Sequence, residues 1–316
     1  MGDHLPFGYY SSLPPSFSLP SPGYIAQRAS FSPAHLVQLS NRKVFCMAAL
    51  KIAIMVHNLK MGIYDGMAFA ARMEVPGVHL ACVKGFSHRD LDTAGRKQLL
   101  RHVRDLGLEI SAVCAWGGEV DLGLPENLRQ HIDDAKEILQ YAADLECGIW
   151  QGHCGIIPHS RQDPKWQRFA DSFGEICQHG EKVGARLAVE TGPEPPEVLM
   201  DMINDVGSSA LCVNYDPANL ILWPAKYMQQ AGKPYDREQA FAEYKPMEGV
   251  KVLGDRIIHT HAKDALVQPD GKRLEVPLGS GWIDWPQYVQ NLRDVGYDGY
   301  FAIEREVGQD PVGDIT

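Results

Sequence analysis

Four short apolar runs each close on a side chain that can bind a cation or carry a proton. "LAVE" ends at Glu190, "VNYD" at Asp216, "IIHTH" at His261 and "FAIE" at Glu304. Asp216 poses the question most sharply, because Asp is a poor strand former and Pro217 behind it removes a ladder donor. A strand that ends this way either opens a turn or helix with the acid as cap, or aims a ligand. Each residue taken alone has such a structural explanation. Their recurrence at matching strand ends argues for a shared site, since consecutive strands of a parallel barrel deliver their ends to one rim. Three carboxylates crowded there repel one another and lose hydration unless a cation neutralises them. A divalent metal is the natural partner: three oxygens and one imidazole nitrogen suit Mn, Mg, Co or Zn and leave positions open for water or substrate.

The elements needed to position those ends are legible from Lys51 onward. Apolar strands "KIAIMVH", "GVHLAC", "EISAVCAW", "CGIWQGH", "ARLAVE", "ALCVNYD", "RIIHTH" and "GYFAIE" alternate with amphipathic helices. Eight such repeats predict an α/β fold, a (β/α)8 TIM barrel. In "PENLRQHIDDAKEILQYAADL", Leu128, Ile132, Ala135, Leu139, Ala142 and Leu145 form one stripe, with Pro125 at the expected start. Two other helices end on Gly107 and Gly184, as left-handed caps require. A doubly wound open sheet is the structural rival, but no strand-turn-helix carries a G-x-G-x-x-G loop. The stretch from Leu220 to about Pro246 is too long for an ordinary βα connection and is expected to form a lid-like loop; Asp270-Gly271 predicts a small hairpin. After Glu304 only twelve residues remain, so the final helix is expected to be truncated, and the N-terminal segment or a second subunit is expected to cover the seam.

Composition narrows the partners. A formal charge of -10 without a Lys/Arg block argues against nucleic acid, and no apolar run reaches membrane-spanning length. The seven cysteines contain no C-x-x-C pair and read as free thiols of a reducing, cytoplasmic setting. A homo-oligomer is compatible with all of this. Residues 1–46 are Ser- and Pro-rich, with no Asp or Glu between Asp3 and Asp65. They are expected to be a leader-like or largely disordered extension, with a short helix at "SPAHLVQL" and Met47 as an equally good start; 47–316 form the barrel.

Taken together, "LAVETGP", "VNYDPANL", "IIHTHAKD", "VPLGSGWIDW" and "GYDGYFAIERE" resemble the sugar phosphate isomerase/epimerase group, whose members share a xylose isomerase-like barrel and the AP endonuclease family 2 domain. The resemblance spans roughly Lys51 to the C-terminus. It implies that Glu190, Asp216, His261 and Glu304 are metal ligands, and that Glu190 and Glu304 exchange a proton with a substrate carbon. A metal chelated by a ketone and its neighbouring hydroxyl favours the enediolate. One Glu on each side of the carbon then gives epimerisation, and transfer within one face gives aldose-ketose isomerisation. The expected substrate is a small polyhydroxy molecule.

Further candidates each have a plain alternative. His57 and His153 close strands on the same rim and either bind substrate or fill a core or loop position. Lys263 meets an anionic substrate group or a solvated carboxylate, and Trp116 stacks on a sugar face or packs. His259, one layer deeper, and His79 read as core residues. Gly279 and Gly281 supply turn geometry and backbone donors, with Asp284 as a helix cap. Asn219 stands three residues after Asp216, where several sugar epimerases carry His, and "HLAC" lacks the Glu that often ends strand two. Both departures point to a substrate outside the well-known rare sugars. The same scaffold also admits a lyase, dehydratase or hydrolase acting on a keto-inositol or keto-glycoside, an abasic-site endonuclease, or a binding barrel without turnover.

Overall fold

The computed structural model describes residues 50–115 and 120–315 of the chain; the expectations for residues 1–46, and with them Cys46, fall outside these residues. The described residues form ten strands: β1 (Lys51–Met55), β2 (Gly77–Ala81), β3 (Glu109–Cys114), β4 (Ile149–Gly152), β5 (Arg186–Glu190), β6 (Leu211–Tyr215), β7 (Ile257–Ala262), β8 (Asp264–Val267), β9 (Arg273–Val276) and β10 (Tyr300–Ile303). Strands β1 to β7 and β10 pair in parallel and close into a barrel, β10 joining β7 to β1. Closure is direct, with Lys51 opposite Tyr300 and Ile54 opposite Ile303. Strands β8 and β9 form the expected hairpin, with Gly271 at φ 83° in its turn.

Between the strands run α1 (Ile63–Arg72), α2 (Thr93–Asp105), α3 (Leu128–Asp144), α4 (Pro164–Val183), α5 (Pro196–Val206), α6 (Asn219–Gln230), α7 (Arg237–Tyr244), α8 (Gly249–Leu253), α9 (Trp285–Asp294) and α10 (Pro311–Ile315). The caps at Gly184 and Asp284 behave as the sequence predicts, and Asp163 adds another. Asp163 accepts from Lys165 N ahead of Pro164, Gly184 closes α4 in the left-handed region, and Asp284 accepts from Gln287 N to start α9. Two expectations change. Helix α3 begins at Leu128 rather than near Pro125, because Asn127 takes φ 64° and breaks the helical path. The long connection after β6 is not an extended loop but the helices α6, α7 and α8, and α6 packs against the β8–β9 hairpin.

The outer faces of the strands meet the helices in a large apolar core that includes Tyr141, Trp150, Phe169 and Phe173, all essentially inaccessible. The barrel interior differs in kind. Its small apolar residues Ala53, Met55, Cys114 and Ala302 give way to buried His79, Ser111, Gln151, Asn214, His259 and His261. Two β-bulges help to turn these side chains inward. Ser111 is the extra residue where β3 pairs β2, and Ile258 the extra residue where β7 pairs β6. Both histidines of "HTH" follow the second bulge. The six cysteines among the described residues are free, and no helix there is long and apolar enough to cross a membrane.

One acid is buried apart from the strand-end group. Glu194, in the β5–α5 turn, has an Oε2 without a hydrogen-bond partner among the described residues, and burial pushes its carboxyl up to about 8. The folded chain thus keeps a proton that the unfolded chain releases above its ordinary value near 4.5. This group makes stability fall as pH rises from about 4.5 to about 8, by up to about 1.4 kcal/mol per pH unit, and adds no slope outside that window. Glu194→Gln is expected to flatten that segment of a pH series of chemical unfolding curves and to stabilise the protein at the alkaline end; an unchanged slope would contradict this.

Candidate metal centre

The four strand-end residues meet. Glu190 is the last residue of β5, Asp216 follows β6, His261 is the penultimate residue of β7 and Glu304 follows β10. These strands are neighbours in the barrel, and one ligand atom from each residue lies within 4.8 Å of the others. His261 Nδ1 is at the middle: 2.9 Å from Glu304 Oε2, 3.6 Å from Glu190 Oε1 and 3.8 Å from Asp216 Oδ2. All four side chains are buried.

Asp216 uses its two oxygens differently. Oδ1 accepts from Ala218 N at 2.8 Å and Asn219 N at 3.1 Å, the capping role that its place before Pro217 predicts. Its backbone N–H donates to Thr191 Oγ1 at 2.8 Å, which fixes the turn. Oδ2 points into the cluster and has no hydrogen-bond partner among the described residues, and neither has His261 Nδ1. Two fully buried, unpartnered ligand atoms facing one another are a costly arrangement without a cation between them. At an effective dielectric constant of about 20, three carboxylates this close repel by on the order of 10 kcal/mol in total, as much as the net stability of a domain.

The protein supplies part of the compensation. Lys263 is buried and donates to Glu304 Oε2 at 3.1 Å and Glu306 Oε2 at 2.7 Å; its ammonium is also 3.7 Å from Asp216 Oδ2 and 4.0 Å from Glu275 Oε2. Arg305 donates to Glu275 Oε1 and Asp314 Oδ2. Burial alone would lower Lys263, but Glu304, Glu306, Asp216 and Glu275 hold it well above the usual ammonium value. Burial also opposes a charged His261, and the carboxylates of Glu304 and Glu190 outweigh it and raise the imidazole well above its ordinary value. For Glu304 burial is outweighed by His261 and Lys263, which hold the acid well below the usual range; for Glu190 His153 and His261 do the same to a lesser degree. Asp216 is raised, because burial dominates its weaker partners. The acids Glu190, Asp216, Glu275, Glu304, Glu306 and Asp314 still outnumber Lys263, Arg305 and a charged His261, and a divalent ion suits the remaining charge.

A family model described as xylose isomerase-like TIM barrel covers residues 67–315. The chain belongs to that family. Two curated relatives are each 24% identical: an uncharacterized protein, MJ1311, of Methanocaldococcus jannaschii over 57% of this chain and 58% of its own, and fructoselysine 3-epimerase of Escherichia coli O157:H7 over 58% and 62%. The chain thus spans about three fifths of the length of the curated relatives it matches. Among solved structures, a xylose isomerase domain protein from Planctomyces limnophilus superposes with a TM-score of 0.69 at 22% identity, covering 84% of this chain and 94% of that one. A D-tagatose 3-epimerase-like protein reaches 0.62 at 21% identity over 84% and 94%, and a xylose isomerase-like TIM barrel protein from Mycobacterium smegmatis in complex with magnesium 0.61 at 15% over 82% and 91%.

The remaining sequence candidates divide around this barrel's rim. His153 follows β4, with Nε2 3.9 Å from Glu190 Oε1 and its ring edge-on to Trp223 at 6.1 Å. Asn219, the first residue of α6, donates to Glu190 Oε1 at 2.8 Å. His57 lies in a 3-10 turn after β1; Asn58 Nδ2 is 3.2 Å from its Nε2, and burial lowers it to about 4 despite Glu304. Lys263 meets carboxylates of the protein itself. Trp116 lies outside the described residues. Sequence reasoning missed Glu275, Glu306, Arg305 and Thr191, since nothing in their spacing reveals that a hairpin and a strand exit converge on Lys263. It also left Asp264 unused, although "HTHAKD" contains it: this carboxylate accepts from Gly279 N, Gly281 N and Ile283 N and from Trp285 Nε1, holding the "GSGW" turn against β8.

Mn(II) at about a hundred times its Kd is expected to stabilise the protein by about 2.7 kcal/mol, read as a thermal shift that chelator reverses. His261→Gln and Asp216→Asn are expected to lose that shift; an equal shift in both variants would contradict the assignment.

Proposed function

We propose that the protein is a divalent-metal-dependent isomerase or epimerase of a polyhydroxy ketone, with Glu190 and Glu304 as the proton-exchanging pair. The observation that carries this reading is the pair of unpartnered buried atoms, Asp216 Oδ2 and His261 Nδ1, flanked by two acids that come from strands on either side of β7. Glu190, Asp216, His261 and Glu304 would hold the ion, which when bound polarises a ketone and offsets the charge of an enediolate. Mn, Mg, Co and Zn all suit this donor set.

The protein's own groups then divide the work. Glu190 and Glu304 are both held in the ionised form, so either can accept a proton from carbon. Asn219 engages Oε1 of Glu190 and Lys263 engages Oε2 of Glu304, which orients each acid and leaves its second oxygen outside those bonds. With one acid on each side of a bound carbon, removal by one and return by the other inverts that carbon. His153 beside Glu190, and His57 near Glu304, are suited to hydrogen-bond substrate hydroxyls, and low basicity keeps His57 neutral for that task. The curated relative named fructoselysine 3-epimerase supports this chemistry, and a probable 3-DHS dehydratase with the same fold keeps a lyase as the second reading.

Metal-loaded protein incubated in deuterated water with ketoses, ketose phosphates and inososes is expected to exchange a carbon-bound hydrogen, followed by NMR. Glu190→Gln and Glu304→Gln are each expected to slow exchange by about a hundredfold or more, with metal affinity measured alongside to separate loss of ligand from loss of base. Absence of exchange on every ketone, with the ion bound, would contradict the reading.

A further inference from the structure

Beneath the metal centre a chain of buried polar groups crosses the barrel interior. His261 Nε2 is 3.2 Å from the amide nitrogen of Asn214, and the amide oxygen of Asn214 is 2.8 Å from His259 Nδ1. His259 Nε2 is 3.4 Å from Ser111 Oγ, which donates to Val78 O at 3.3 Å. The groups belong to β7, β6, β3 and β2, and all five residues are buried. Both bulges serve this chain: Ser111 is itself the extra residue on β3, and Ile258 precedes His259 on β7.

A half-turn of the Asn214 amide exchanges its oxygen and nitrogen and leaves the heavy-atom distances nearly unchanged. The two orientations differ in what they allow at His261. With the nitrogen toward His261, Nε2 must be a bare acceptor, so the ring proton sits on Nδ1, where a metal would bind. His259 then donates from Nδ1, and its bare Nε2 competes with Val78 O for the single proton of Ser111. With the oxygen toward His261, every group is matched. His261 Nε2–H donates to Asn214 Oδ1, Asn214 donates to His259 Nδ1, His259 Nε2–H donates to Ser111 Oγ, and Ser111 donates to Val78 O. Gln151, 3.3 Å from the Asn214 amide and 3.5 Å from His79 Nε2, can turn likewise and accept from His79. For groups this buried, the fully matched arrangement is the stable one.

We propose that Asn214, His259 and Ser111 are positioning residues: the chain running from Val78 O to Asn214 presents the amide oxygen to His261 and so leaves Nδ1 bare for the metal. No proton is gained or lost by His259, which only carries it on Nε2 instead of Nδ1. The carboxylates alone do not make this selection, because they also attract a protonated Nδ1. The proposal rests on the metal-centre reading above and adds to it the tautomer and the groups that impose it.

In protein labelled with 15N-histidine and loaded with Zn(II), His259 and His261 are both expected to carry their protons on Nε2, read from ring nitrogen shifts and couplings. Asn214→Leu, which fills the space without an acceptor, is expected to weaken Mn(II) binding by about tenfold or more while the metal-free protein unfolds at nearly its original temperature. Asn214→Asp, which keeps an oxygen, is expected to retain binding. If the leucine variant does not fold, Ser111→Ala serves instead and is expected to shift His259 toward its Nδ1–H form and weaken binding in the same direction. His259 protonated on Nδ1 in the loaded parent protein, or leucine and alanine variants that bind Mn(II) like the parent, would overturn the proposal. Failure of the parent to bind either ion would overturn the metal reading and this proposal together.

Discussion

Mutual repulsion among buried carboxylates at one rim governs the rest of this molecule. Glu190, Asp216 and Glu304 are delivered by strands that the barrel cannot separate, since β5, β6, β7 and β10 are consecutive neighbours. The protein answers with His261 between them and Lys263 against Glu304, and it commits a second tier of acids and Arg305 to hold Lys263 in place. Such a buried ammonium would cost several kcal/mol without its acids, and the acids would be equally exposed to loss without it. The cluster is therefore a unit in which each charge depends on its neighbours, and Asp216 Oδ2 and His261 Nδ1 are its ligand atoms without a hydrogen bond among the described residues.

The interior of the barrel follows from the same constraint. An apolar lumen would give the rim no support below the ligands. Here the lumen beneath His261 is filled by amide, imidazole and hydroxyl groups whose partners are one another, and two bulges set the inward direction of Ser111 and His259. The apolar driving force lies outside, where the strands meet the helices. Stability and chemistry are thus separated between the two faces of the same sheet.

Much of this was legible in the sequence because strand periodicity and strand-end residues are local signals. The eight strands, the hairpin at Gly271, the Asp284 cap and the convergence of four strand ends all follow from residue order. What stayed hidden depends on distance in space. A bulge such as the one at Ser111 adds one residue and leaves no composition signature. The left-handed turn at Asn127 moved the start of α3 beyond Pro125. The length of the segment after β6 suggests a loop, yet Leu220, Ile221 and Ala225 bury one face of α6 across Pro224. Of the two partners the sequence offers Lys263, a substrate anion or a carboxylate, the fold supplies carboxylates, because the hairpin brings Glu275 to it and the exit of β10 brings Glu306.

Anomalous diffraction from crystals soaked in Mn(II) tests the central claim most directly. A single strong peak is expected between Glu190, Asp216, His261 and Glu304, bound through His261 Nδ1. A map with no peak there, or with its peak among His79, His259 and the opposite nitrogen of His261, would contradict the account.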